Sequence, residues 1–322
     1  MPVNPQDLVS RVACAPAQAR SGAAQLTIGV VGDTWTLRIL RTVFRGKLRH
    51  GDFVAEIGVS RAVLSDRLSK LIAHQVLERT VQAGRHPEYR LTARGLDLWS
   101  LFLAMWQWQM EWAATQDHDT WAPDQPRPRL WHHVCGHAMR PVLRCMDCQA
   151  PVLPFDTRAE GGAGPATAVD AQASTSAFRK ARSVASADAG IAPARQLNRI
   201  IGDRWNSALV AAAFRGTRLF ARFQEELQIG PAQLSDRLAE LQQLGILRPR
   251  AYAGNRQEYR LTQAGIALFP MTLELVRWGN RWMDVGDDPL TVRHLPCGAV
   301  LDARWHCGHC GEVLAREAVR FS

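Results

Sequence analysis

The sequence predicts a mainly α-helical chain of the α+β class, built as two copies of one helix-and-hairpin unit, each trailed by a small cysteine-bearing β module. Three observations carry this. Gly32-Asp33-x-Trp35 recurs as Gly202-Asp203-x-Trp205, and the offset of 170 holds without a gap to Trp112 and Trp282, with 28 of 81 positions identical. Within each copy, apolar residues recur at helical spacing and then give way to two short strand-like runs. After each copy comes His-x2-Cys-x9-Cys-x2-Cys, now at an offset of 162.

The elements of the first copy follow in order. Ile28 to Phe44 places Val31, Trp35, Ile39, Leu40 and Val43 on one helical face, and Gly46 stops that helix. Phe53 to Ile57 reads as a short second helix. Ser60 is a good cap for a third helix, Arg61 to Ala73, whose inward stripe is Leu64, Leu68 and Leu71. Pro231, at the matching start in the second copy, suits a first helical position. Val76 to Val81 is a strand, Gly84 to Pro87 a tight turn, and Tyr89 to Thr92 the returning strand. Thr92 then caps a final helix from Arg94 to Ala114, with Leu98, Leu101, Phe102, Met105, Trp108 and Trp112 on its apolar side.

The organisation expected is an N-terminal arm over 1–24, a helical domain over 25–118 and a cysteine module over 119–158. A linker over 159–194, a second helical domain over 195–286 and a second module over 287–322 complete it. The linker is rich in Ala, Gly and Ser and nearly free of large apolar residues, a composition that buries too little surface to order itself.

Composition narrows the function. The chain has 322 residues, 47% of them hydrophobic, enough to build sizeable cores. A formal charge of +9 suits a polyanionic partner, although only Lys47, Lys70 and Lys180 are lysines. No apolar run approaches the roughly 18 residues of a membrane span, and the first residues lack the order of a signal peptide, so a cytoplasmic protein with no membrane partner is expected. No phosphate-cradling glycine loop or nucleophile elbow occurs, and no catalytic role is expected.

Helix, short helix, helix and two-stranded hairpin is the order of a winged helix-turn-helix. Gly-Asp-x-Trp opening a helix, Phe44-Arg45-Gly46 closing it, Leu64-Ser65-Asp66-Arg67-Leu68 in the third and Glu88-Tyr89-Arg90-Leu91-Thr92-x-x-Gly95 after the wing together resemble HxlR-type transcriptional regulators. The resemblance covers about 30–114 and about 200–284. It implies operator binding through the third helix and the wing, and a chain like two fused protomers of a family that is typically homodimeric.

An α-helix fits the major groove, and the third helix of such folds enters it. In the first copy this nominates Arg61, Ala62, Ser65, Arg67, Ser69 and Lys70, with Arg85 and His86 at the wing tip. The second copy offers Gln233, Ser235 and Arg237, with Asn255 and Arg256 at its wing. Asp66 and Asp236 are unfavourable beside phosphate; each is expected to orient a neighbouring arginine or face a cytosine amine. The reading helices have diverged, which implies an intrachain pseudo-dimer on double-stranded DNA with two unlike half-sites, acting as a repressor. An alternative leaves the second copy a mainly supporting role. The tryptophans of the final helices are expected to form the interface between copies, or else to line a small-molecule effector pocket.

Six cysteines fall in the repeated pattern, which resembles a zinc ribbon and argues for structural zinc at two sites. The spacing assigns His132, Cys135, Cys145 and Cys148 to one site and His294, Cys297, Cys307 and Cys310 to the other. Reactive Cys-x-x-Cys pairs, acting as a zinc- or thiol-dependent switch, are the rival reading; a protein-docking role without DNA is another. The seventh cysteine, Cys14, lies where the resemblance implies a possible redox thiol before the first helix; an incidental thiol on a loose arm is the alternative.

Overall fold

The computed structural model describes residues 22–81, 86–113, 129–162, 192–252 and 256–321. Cys14, Arg85, Asn255 and most of the expected linker lie outside them. The first copy runs α1 (Ala23–Val31), α2 (Thr34–Phe44), α3 (His50–Ile57), α4 (Arg61–Ala73), β1 (Leu77–Thr80), β2 (Glu88–Leu91), α5 (Ala93–Leu96) and α6 (Trp99–Trp108), the last widening into a π turn over Gln109–Ala113. The second repeats it. Its elements are α7 (Ala192–Ile201), α8 (Arg204–Phe214), α9 (Phe220–Leu227), α10 (Pro231–Gln243), β7 (Leu247–Tyr252), β8 (Arg256–Leu261), α11 (Gln263–Ile266) and α12 (Phe269–Trp282).

The third helix begins and ends where its cap and leucine stripe place it. Ser60 accepts from the Val63 amide, and Leu64, Leu68 and Leu71 are buried. Leu234, Leu238 and Leu241 do the same in α10. Two other helices differ from expectation. The run Ile28 to Phe44 is not one helix: Asp33 adopts extended backbone, and its carboxylate accepts the amides of Trp35 and Thr36, so α2 starts afresh after α1. An N-cap satisfied by its own side chain competes with helix continuation, and here it wins. The final helix is likewise broken into α5, α6 and the π turn. Gly95 after the wing is required by packing: a Cβ there would stand 2.1 Å from the Val76 carbonyl oxygen, and at Gly265 one would stand 2.3 Å from that of Ile246.

The copies pack against each other by exchange. Helix α1 lies along α12 of the second copy, and α7 reaches the π turn of the first. The Thr27 hydroxyl donates to the Leu275 carbonyl at 2.8 Å, and the backbones approach so closely that a Cβ on Gly279 would lie 2.2 Å from the Ala23 oxygen. Helices α6 and α12 also touch. Their buried tryptophans make matching bonds: the Trp108 indole N–H donates to Ala264 O at 2.9 Å, and that of Trp278 to Arg94 O at 3.0 Å. Ala23 and Ala192 thus belong to helices rather than to the expected arm and linker.

The cysteine modules are exchanged too. Strand β5 (Pro141–Cys145) pairs antiparallel with β10 (Ala303–Cys307), bringing Leu143 opposite Trp305. Strand β6 (Thr157–Glu160) pairs with β9 (Thr291–His294), and β11 (Val319–Phe321) with β3 (Leu130–His132), which also pairs with β4 (His137–Met139). Residues 159 and 160, expected in the linker, are therefore in a ladder. The modules are not two separate ribbons.

Candidate DNA-reading surface and metal centres

Helix α4 presents Arg61, Ala62, Ser65, Asp66, Ser69 and Lys70 to solvent, opposite its buried leucines. In α10 the exposed set is Pro231, Ala232, Gln233, Ser235, Asp236, Ala239 and Gln243. His86 and Arg256 are exposed at the described edges of the two wings.

Arg67 and Arg237, nominated for DNA, are instead turned into the fold. The Arg67 guanidinium donates to Asp33 at 3.0 Å and to Asp66 at 2.5 Å, with its side chain only 14% exposed. Arg237 pairs with Asp203 at 2.9 Å and with Glu240 at 2.7 Å. Each ties the reading helix to the N-cap of the helix beneath it, and a charge so held is not offered to a ligand. Asp66 also holds Lys70 at 3.1 Å, so it orients neighbouring cations as its sequence context suggested. The carboxyl of Glu240 is half-buried, which opposes ionisation, yet hydrogen bonds from Arg237, Asn206 and Arg199 hold it below its ordinary range.

The expected metal ligands gather in two clusters that could hold a metal ion, but each mixes the copies. His132 and Cys135 meet Cys307 and Cys310; Cys145 and Cys148 meet His294 and Cys297. This corrects the grouping that spacing suggested, in which each His-x2-Cys joined the Cys-x2-Cys downstream in its own module. The β5–β10 ladder carries Cys145 and Cys307 past each other into the opposite half, so proximity in sequence loses to strand pairing. In the first cluster Cys135 Sγ lies 3.9 Å from Cys307 Sγ, and His132 Nδ1 lies 3.5 Å from Cys135 Sγ and 3.4 Å from Cys310 Sγ. The second reproduces it: Cys145 and Cys297 sulfurs are 3.9 Å apart, and His294 Nδ1 is 3.4 Å from both Cys148 and Cys297. Of the other nearby histidines, His306 leaves its Nε2 buried without a partner among the described residues. His306 Nδ1 contacts Gly311 O at 2.9 Å, and His137 packs edge-on against His309. Burial disfavours the Cys307 thiolate, but hydrogen bonds from the Cys310 and His309 backbone and from the Cys310 and Cys135 side chains together lower its pKa.

A third feature was not legible as a site. Glu274 on α12 is buried and accepts from the Trp305 indole at 3.0 Å and from Arg277 at 2.7 Å, and Arg277 also donates to Asp97 at 2.9 Å. Burial raises the Glu274 pKa. For Arg277 burial works against the charge, but Glu274 and Asp97 overcome it and raise its pKa. This chain links α12 to the ladder of the metal centres. No repeat signals it, because the positions matching Glu274 and Arg277 in the first copy are Ala104 and Gln107.

A leucine-backed third helix with a polar outer face, followed by a two-stranded wing, defines a winged helix-turn-helix protein, and here there are two per chain. The family model described as HxlR-like helix-turn-helix matches residues 30–117 and 200–287. The chain belongs to that family and is a DNA-binding transcriptional regulator. An uncharacterized HTH-type transcriptional regulator of Mycobacterium tuberculosis (strain CDC 1551 / Oshkosh) is 36% identical over 123 residues, spanning 37% of this chain and 78% of that one. YvaP of Bacillus subtilis, also an uncharacterized HTH-type regulator, is 31% identical over 88 residues, 26% of this chain and 82% of its own. The crystal structure of PA1607, described as a candidate transcription factor, is 31% identical over 44% of this chain and 98% of that chain, with a TM-score of 0.37. No helix among the described residues is long and apolar enough to cross a membrane.

Proposed function

We propose that the chain acts as an intrachain pseudo-dimer: both copies contact one duplex, and α4 and α10 address two unlike half-sites roughly one helical turn, about 34 Å, apart. The observation that carries this is the exchange of α1 and α7 onto the opposite copy, which fixes two reading helices within one body as a homodimer's subunits would fix them. Symmetry obliges a homodimer to read a palindrome; two diverged copies are under no such obligation. Arg61, Ala62, Ser65, Ser69 and Lys70 form the reading set of one helix, and Gln233 and Ser235 that of the other, with His86 and Arg256 beside them. A protein occupying a promoter in this way excludes polymerase sterically, which makes repression the expected outcome.

Each crossed cluster holds one structural zinc ion. Bonds of about 2.3 Å to sulfur and 2.0 Å to nitrogen in a tetrahedron require donors roughly 3.5–3.8 Å apart; the contacting donor pairs here stand 3.4 to 3.9 Å apart, and all donors of a cluster lie within 4.8 Å of one another. Three thiolates and one imidazole are a common zinc set. When bound, the ion supplies cross-linking energy to strands too short for a core of their own. With two ligands from each copy at each centre, that cross-link runs between the halves.

Selection of bound duplexes from a random pool, followed by a salt titration of the winner, tests the central reading. We expect an asymmetric bipartite site and an affinity falling linearly with salt on logarithmic axes. A perfect palindrome would refute unlike half-sites.

A further inference from the structure

The two copies carry opposite charge patterns on their two DNA-facing elements. On the reading helices, Arg61 and Lys70 of α4 are replaced at the 170 offset by Pro231 and Glu240 of α10. Glu240 is drawn inward by Arg199 and Arg237, and Arg237 is itself committed to Asp203. The exposed surface of α10 therefore offers no cation. The wings show the reverse. In an antiparallel pair, directly opposed residues and those two apart share a face. The registers Arg248 to Arg260, Arg250 to Glu258 and Tyr252 to Arg256 thus place four arginines on one face of the second wing. The matching positions in the first copy are Glu78, Thr80, His86 and Arg90.

The arginines of the second wing differ in their availability. Arg260 is committed to Glu258 at 2.6 Å. Arg248, Arg250 and Arg256 are exposed and close no ion pair among the described residues. Three exposed cations on a ribbon of 4.8 Å strand spacing suit the phosphate backbone, whose contacts supply affinity and register but little sequence information. Its described strands are also the longer: β7 and β8 each have six residues, where β1 and β2 have four.

We propose that the copies divide recognition: α4 of the first reads bases, and the face of the second wing carrying Arg248, Arg250 and Arg256 grips phosphates whatever the sequence. This rests on the reading that both copies contact one duplex, and it predicts that the half-site under the second copy is only weakly specified. The test compares Arg248→Gln, Arg250→Gln, Arg256→Gln and their triple combination with Arg61→Ala on the selected duplex and on a scrambled one, across a salt series. Each wing variant should weaken both duplexes by the same factor, leave their affinity ratio unchanged and reduce the salt slope by about one. The triple variant should reduce the slope by about three. Arg61→Ala should instead compress the ratio. Wing variants that change the ratio, or leave the slope intact, would overturn the division while leaving DNA binding standing. Wild type that binds neither duplex at low salt would overturn the underlying reading and this proposal with it.

Discussion

The two copies keep the same inward-turned polar bonds and share little of their exposed charge. Asp33 caps its helix and binds Arg67; Asp203 caps its helix and binds Arg237. Thr92 and Thr262 each accept the amide three residues on, and Trp108 and Trp278 each donate across to the other copy. Outside, Arg61 stands against Pro231, Glu78 against Arg248 and Thr80 against Arg250. A buried donor or acceptor left unmade costs its full desolvation, so such positions resist change. Exposed charges are worth little to the fold and are free to diverge toward different contacts with a ligand. The comparison therefore separates what holds a copy together from what it presents.

The sharpest way to break this equivalence is at the crossing tryptophans. Both indoles are buried and bonded alike, so Trp108→Ala and Trp278→Ala should each cost about 3–5 kcal/mol, measured by denaturant unfolding. One variant costing almost nothing would show that the interface leans on a single copy.

The crossed ligand sets give a test by counting metal. Cys135→Ser/Cys310→Ser removes two ligands from one centre as the structure groups them, but one from each centre in the grouping that spacing suggested. The metal-loaded double variant should retain one zinc per chain, whereas Cys135→Ser/Cys145→Ser should lose both. Elemental analysis giving the opposite result would restore two separate ribbons.

A smaller effect belongs to Glu274, which has no counterpart in the first copy. Arg277, Asp97 and the Trp305 indole are the polar groups that surround it. Burial raises its pKa, so the folded chain holds this proton more firmly than the unfolded one. Its contribution is fully present below the ordinary carboxyl range and is lost as pH rises through the raised folded value. Wild type should therefore lose stability relative to Glu274→Gln across that window, read as the difference in unfolding midpoints. A difference independent of pH would place the proton elsewhere.

Much of this was legible in the chain because it is local. The duplication is a matter of register. Helix α4 follows from Ser60 and three leucines, the wing from its turn, and the eight candidate metal ligands from paired spacings. Where local signals compete, legibility fails: an apolar period ran straight through Gly32-Asp33, and only the capping geometry of Asp33 shows the break. Arg67 looked like its exposed neighbours until Asp33 was beside it.

The pairing of the halves was decided by tertiary structure alone. In a duplicated sequence, His132-x2-Cys135 meets an equivalent Cys-x2-Cys whether it turns to its own copy or to the other, and α1 finds an equivalent final helix either way. Both arrangements satisfy the same residue types, so composition, periodicity and spacing are degenerate between them. What separates them is the summed packing of contacts some 150–270 residues apart in sequence, from Thr27 on Leu275 to the β5–β10 ladder, and no local pattern encodes that sum.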